Sequence, residues 1–349
     1  MANETTDSAP EGIAEVGSVL AGSSPASTTS DAGARSSLAT NAREASASHE
    51  MSARREVPTR REVPTRREVP TRRVALEDSF ADVPKHFAAG GDLLHSHFAA
   101  GLSALFPDGE DFFVRSVRRY RDRITDPDLK RQVAGFIGQE AVHGREHRAL
   151  NERLDELGYP TRLFERFTRL ALTMRERLAP PIANLAATAA LEHFTATMAE
   201  LLLGNEEVQA LFGNEAVKEL FLWHALEESE HKSVAFDVYR AVGGGERLRV
   251  MTMRLLRIGF VITMALQMAV SLLMDREAYR LRALRESWRG FRRSPVMSRE
   301  LWQRLKDYER PGFHPDDRDT SGLVSYWREA LFGENGSMRS KLAKSGEAA

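Results

Sequence analysis

After Val74, apolar residues recur at intervals of three and four, and runs of period-two alternation are missing. This spacing predicts helices over about 82–105, 110–123, 127–157, 161–176, 181–203, 206–241, 246–290, 297–309 and 321–332. The breaks have chemical reasons. Pro107-Asp108-Gly109 reads as a turn. Thr125-Asp126-Pro127 reads as a cap with proline at the first helical position. Gly158 and Pro160 end one helix, and Gly204-Asn205 and Gly243-Gly244-Gly245 end two more. The fold class expected from this pattern is all-α.

Before Val74 the pattern changes. Residues 1–50 are rich in Ala, Ser, Thr and Gly and have almost no large apolar side chains. Such a segment buries too little surface to offset its ordering entropy, so a disordered tail is expected. A hexapeptide, REVPTR, then repeats at 55–60, 61–66 and 67–72. Proline in every copy forbids a regular helix, and three short copies make no solenoid, so the repeat reads as an extended linker. The expected organisation is a tail over 1–73, a helical bundle over 74–290 and a helical extension over 291–349 with no chemistry of its own.

Composition narrows the function. With 349 residues, 42% hydrophobic and 28% charged, the chain can bury a sizeable core. A formal net charge of −1 argues against nucleic acid as a general partner. Cysteine is absent, which excludes disulfides, thiolate metal sites and cysteine nucleophiles. The first residues lack a basic segment followed by an apolar run, so a cytoplasmic location is the expectation.

Two stretches concentrate metal-binding side chains: QEAVHGREH at 139–147 and HALEESEH at 224–231. Glu140, His143 and His147 share one helical stripe, and Glu228 and His231 share another with His224. Glu-x-x-His therefore occurs twice. Placing a hairpin tip near residue 125 puts Glu110 and Glu140 at equal offsets, fifteen residues on either side. A second tip near 210 puts Glu192 and Glu228 eighteen residues away on either side. Glu192 also interrupts an otherwise apolar helix, where a charge is costly unless paired or bound to a metal. One Glu from each of two helices and Glu-x-x-His from two others form the donor set of a dinuclear carboxylate site in a four-helix bundle. Two divalent ions are the implied cofactors, with iron or manganese suiting this set best and zinc compatible.

The blocks VPTRRVALED, LFPDGEDFFVRSVRRYRD, FIGQEAVHGREHRALN, ALEHFTA and WHALEESEHKSVAFDVY resemble the ferritin-like family of predicted metal-dependent hydrolases, from about Val69 to residue 290. The resemblance implies a ferritin-like bundle with metal ligands Glu110, Glu140, His143, Glu192, Glu228 and His231. Glu110 departs from the pattern by falling at a predicted helix start, and the repeat-bearing tail is extra to it.

Other readings compete. His143, Glu146 and His147 fit H-x-x-E-H, in which the two histidines hold one zinc and Glu146 acts as general base. Glu146 and His147 are thus the candidate catalytic pair, as bases or proton relays beside the metals. His147, His193, His224, Glu227 and Asp237 stand close enough in sequence to orient ligand imidazoles, and each also reads as an ordinary polar residue. Met253, Met264, Met268 and Met274 read as core fillers. The activity implied by the resemblance is hydrolysis. The donor set also suits a di-iron oxidase or oxygenase, and a non-enzymatic metal-binding bundle is the third class.

Residues 258–274, IGFVITMALQMAVSLLM, form an uncharged run of 17, at the lower edge of what spans a bilayer. Gly259, Thr263, Gln267 and Ser271 make a small or polar stripe along it, and arginines bracket both ends. The expectation is a helix that covers the bundle and forms a substrate channel or homodimer face, with peripheral membrane contact as the alternative. A small-molecule, apolar substrate fits either version.

Overall fold

The computed structural model describes residues 68–343, in which every regular element is helical. The α-helices are α1 (Leu93–Arg118), α2 (Pro127–Glu156), α3 (Thr161–Leu178), α4 (Pro181–Gly204), α5 (Glu206–Gln209), α6 (Glu215–His231), α7 (Val234–Ala241), α8 (Glu246–Leu273), α9 (Leu281–Arg293), α10 (Arg299–Asp307) and α11 (Ser321–Phe332). The tail over 1–50 and the first two hexapeptide copies lie outside the described residues. Helix α1 packs along α2 and α4 along α6, and the two pairs meet through α1 with α4 and α2 with α6 and α7.

Local chemistry explains the ends. Asp92 caps α1 by accepting from the His95 N–H at 2.9 Å. Asp126 caps α2 by accepting from the Asp128 N–H at 2.8 Å, with Pro127 in the first turn as the sequence predicts. Gly158 follows α2 with φ of 89°, the left-handed conformation that glycine adopts without a Cβ clash.

Four expectations are corrected. Pro107-Asp108-Gly109 is not a turn: α1 runs through it, so Glu110 sits well inside a helix. Proline removes the N–H that would bond the Ser103 carbonyl. That carbonyl instead accepts from Asn151 Nδ2 at 3.1 Å, and the Pro107 carbonyl accepts from Arg148 Nη2 at 3.4 Å. Asn151→Ala is expected to destabilise the protein by about 1–3 kcal/mol, because the Ser103 carbonyl would lose the donor that replaces the missing proline N–H. Thermal unfolding of the variant checks this, and an unchanged Tm would contradict it.

The predicted helix 206–241 is three helices. Asn214 caps α6 by accepting from the Val217 N–H at 3.2 Å, and Gly213 lies so close to the Ala88 backbone that a Cβ would collide with it. The predicted helix 246–290 is also divided. Asp275 ends α8 and caps the next turn at the Glu277 N–H, while His86 and His97 hold its other oxygen at 2.7 and 3.1 Å. Of the methionines read as core, Met253 and Met264 are buried, but Met274 at the end of α8 is exposed.

Contacts run across positions 73 and 290. Val69 and Thr71 press onto α2 where Gly135 and Gly138 leave room; a Cβ at either glycine would clash with them. Residues 73–75 pair with 341–343 through Ala75 N–H to Lys341 O and Ala343 N–H to Arg73 O. Leu331 and Met338 belong to one apolar core, and Leu305, Tyr308 and Phe313 to a second. Helices α1, α2 and α4 and the α6–α7 pair cross from one core to the other, and carboxylates lie near the crossings. On α2 the second core holds Leu129–Phe136 and the first holds Val142–Leu154, with Glu140 between them. On α6 and α7 the first core ends at Leu226 and the second begins at Val234, with Glu228 and His231 between. On α1, Glu110 falls between Ala100 of the first core and Phe112 of the second.

Candidate metal centre

Glu110, Glu140, His143, Glu192, Glu228 and His231 are all buried and come together between these cores. Ligand-type atoms of Glu140, Glu192 and His231 lie within 4.8 Å of one another. The same holds for Glu110, His143 and His224, and for Glu140, His143 and Glu228. His231 Nε2 lies 3.1 Å from Glu140, 3.3 Å from Glu192 and 3.5 Å from Glu228. Gly144 makes space for the α1 contribution, since a Cβ there would come within 3.2 Å of Glu110 Oε2.

The donor atoms in this cluster are left open. Both oxygens of Glu110, Glu140 and Glu192, together with His143 Nδ1 and His231 Nε2, are buried without a hydrogen-bond partner among the described residues. Buried polar groups are nearly always paired, so a knot of unpaired carboxylate and imidazole atoms is an arrangement that a cation would complete. The residues present therefore fit a metal group: carboxylates to cancel charge and imidazole nitrogens to add affinity. These residues would hold the ions.

The outer faces of the two histidines are fixed by protein groups. His143 Nε2 meets Glu227 Oε2 at 3.0 Å, which leaves Nδ1 facing the carboxylates. His231 Nδ1 meets Gln139 Oε1 at 2.8 Å, which leaves Nε2 facing them. Gln139 Nε2 in turn donates to Glu230 at 2.9 Å. Arg72 closes the layer, 2.9 Å from Glu227 and 2.7 Å from Glu230, and Arg328 reaches Glu230 at 2.7 Å. Such hydrogen bonds set tautomer and ring orientation in metal sites. Gln139, Arg72, Glu230 and Arg328 escape a reading of the sequence. The available signal is position alone: Gln139 adjoins Glu140, and Arg72 ends the third hexapeptide.

The remaining candidates divide. His224 is more central than the sequence suggests: its Nε2 lies 3.1 Å from Glu228, and its ring stacks on His143 at 4.3 Å. His147 lies one step outward, with Nε2 2.7 Å from His224 Nδ1 and Nδ1 2.9 Å from Ser103 Oγ. Glu146 faces elsewhere. Its carboxylate accepts from the Leu76 N–H and Arg145 Nε, both at 2.8 Å, so H-x-x-E-H does not close around one point. His193 meets the Arg304 carbonyl at 3.1 Å and Asp237 meets His314 at 2.8 Å.

Electrostatics follow from burial. Burial, reinforced by Glu228, raises Glu110 well above the usual carboxylate range, and burial with Glu192 does the same to Glu140. Burial pushes Glu192 up to about 7 and Glu227 up to about 8, the latter against the pull of Arg72. Burial also acts to raise Glu228, but His231 and His224 outweigh it and hold Glu228 well below the usual range. From pH 6.5 to 8, the folded metal-free chain therefore binds more protons than the unfolded chain, whose carboxylates titrate near 4.5. Metal-free protein is expected to lose stability as pH rises through this window. Metal uptake displaces those protons, so the Tm gap between metal-loaded and chelator-treated protein should widen with pH. Calorimetry at both ends of the window checks this, and a constant gap would contradict it.

A cavity of about 800 Å³ ends at this cluster. Its walls are almost wholly apolar, including Phe106, Phe194, Met198 and Phe260, and Glu228 and His224 stand among them. The Thr195 hydroxyl, also in the wall, donates to Glu228 Oε2.

No curated protein and no solved structure matches the chain. A family model described as "Predicted metal-dependent hydrolase" matches residues 70–319, a span that includes all six convergent side chains, Arg72, Gln139, Glu227 and Glu230 of their outer hydrogen-bonding layer, and α10. The chain belongs to this family of predicted metal-dependent hydrolases.

Proposed function

We propose that the protein is a dimetal hydrolase of ferritin-like architecture that cleaves an acyl ester or amide of an apolar substrate. The observation that carries this reading is the meeting of unpaired buried carboxylate and imidazole atoms with the end of a large apolar cavity. Two divalent ions held there would supply Lewis-acid activation. The chain supplies the rest. The cavity holds an acyl chain and excludes water from it. Thr195 orients Glu228 by donating to one oxygen, while His224 Nε2 engages the other. His224 and His147, joined nitrogen to nitrogen, form a chain that leads to Ser103 and moves a proton away from the cavity end at His224 Nδ1.

A second reading rests on the donors themselves. Four carboxylates with histidines on four helices suit iron or manganese, and so oxidation of the same apolar substrate. The test is elemental analysis of protein purified without chelator or added metal, followed by assay on long-chain acyl esters. About two ions per chain with ester cleavage supports the hydrolase. Two irons with oxygen consumption and no cleavage moves the assignment to the second reading. No ion after reconstitution overturns both.

A further inference from the structure

Helix α8 is amphipathic in the wrong sense for a protein surrounded by water. Its inward side carries Arg249, Thr252, Gln267 and Ser271, all buried. Its outward side carries Met251, Leu255, Ile258, Ile262, Leu266 and Leu273, a stripe at helical spacing, with Leu255 67% exposed. Water-facing helices show the reverse arrangement. Helix α3 repeats the feature. Leu163, Phe167, Leu170, Met174 and Leu178 follow one another at three and four residues and are exposed, Phe167 by 62%. Both stripes border the cavity, since Leu163 and Phe167 of α3 and Leu266 of α8 line it.

Next to α8 the chain changes character. From Arg276 to Arg293 there are seven arginines against two glutamates, with Tyr279 and Trp288 exposed among them. An amphipathic helix rich in arginine, with an aromatic side chain at its edge, is built for the boundary between headgroups and acyl chains.

We propose that the outward stripes of α3 and α8, with the arginines of α9, dock on an anionic phospholipid surface, from which the substrate enters the cavity. Helix α8 lies along that surface and does not cross it. Arg249 ties α8 to the carbonyls of Tyr308 and Arg310, and its guanidinium sits over the Tyr308 ring at 4.9 Å. Within the apolar run, Ser271 Oγ meets His97 Nδ1 at 2.6 Å, a buried contact that a spanning helix would have to break. A second copy of the chain suits the face less well. Arginines flank the apolar run 258–274 of α8 at both ends (Arg247 and Arg254 before it, Arg276 and Arg280 after it), so parallel or antiparallel self-pairing sets arginine against arginine. Anionic lipid complements both ends at once. Docking itself stands on these surfaces alone. Only the delivery of substrate rests on the proposed reading of the centre.

The test is sedimentation of the full-length protein with vesicles of phosphatidylcholine, with and without phosphatidylglycerol. The expected result is binding to the anionic vesicles that weakens as salt rises, equal for metal-loaded and chelator-treated protein. Phe167→Asp with Leu255→Asp, and separately Arg289→Glu with Arg292→Glu, should each reduce partitioning by about tenfold or more. All four positions are exposed, and circular dichroism confirms that each variant is folded. Wild-type protein left in the supernatant overturns the proposal. Equal binding to neutral vesicles overturns the anionic assignment. A dimer that Leu255→Asp converts to monomer, without vesicle binding, assigns the face to a second copy instead. A negative vesicle result with two bound metals would leave the centre standing, and the converse would leave the docking face standing.

Discussion

Replacing His231 with alanine is expected to lower metal content from about two ions per chain to one or fewer and to abolish turnover. His231 Nε2 is the nitrogen nearest to three carboxylates at once, and Gln139 holds the ring so that no other nitrogen takes its place. Glu140→Gln should act in the same direction on metal, because Glu140 belongs to both a His231 group and a His143 group. Its effect on the metal-free protein has the opposite sign. It removes a buried carboxylate from a cluster that repels itself, so the stripped variant should gain about 1–2 kcal/mol, or a few degrees in Tm. Glu146→Ala separates the competing motif. It should leave metal content unchanged, since the Glu146 carboxylate is occupied by Leu76 and Arg145. Elemental analysis and calorimetry on the three variants decide the matter. Full metal occupancy in His231→Ala would end the paired-site reading.

Arg72→Ala is expected to be nearly as damaging although Arg72 faces away from the donor atoms. Its guanidinium is the shared partner of Glu227 and Glu230, whose side chains are inaccessible to solvent. Burial acts to lower the Arg72 pKa, but the two carboxylates outweigh it and keep the guanidinium charged. Removing Arg72 leaves Glu227 without its cation and Glu230 with Arg328 alone, a loss of about 3 kcal/mol and on the order of 10 °C in Tm. Metal affinity should fall about 10–100-fold as the supports of His143 and His231 loosen. Arg72→Lys should recover only part of this, because an ammonium cannot span both carboxylates as the planar fork does. Competition for metal with a chromophoric chelator, alongside thermal unfolding, gives both numbers. Wild-type values in both would show that the outer layer does not orient the centre.

The comparison of sequence and structure is instructive at particular residues. The convergence of these side chains was legible because a helical hairpin turns sequence offset into height. Glu110 with Glu140, and Glu192 with Glu228, needed only two turn positions to be matched. The same logic placed His224 on the Glu228 stripe but not against His143, because that contact is a ring stacked across helices. The reading failed at Pro107 for a definite reason. Local propensity treats proline as a break, whereas Asn151, distant in sequence, supplies the missing donor. It failed again across 246–290, where hydropathy continues through the end of α8 but His86 and His97 hold Asp275 in place to terminate it. The apolar run at 258–274 was plain, yet only the fold reveals that Gln267 and Ser271 of its stripe are buried and that Gly259 and Thr263 line the cavity. Membership of a helix in one core or another, and hence the unity of 68–343, lies in contacts that no local window contains.

The third hexapeptide settles on α2 through Val69 and Thr71 and on α6 through Arg72, and two identical copies precede it. Loss or gain of a whole copy by replication slippage would therefore leave the residues facing Gly135, Gly138 and Glu230 unchanged. A tandem repeat next to a catalytic centre usually exposes that centre to frequent length mutation. Here the identity of the copies insulates it, so the tail can drift in length while the centre's outer layer is inherited intact.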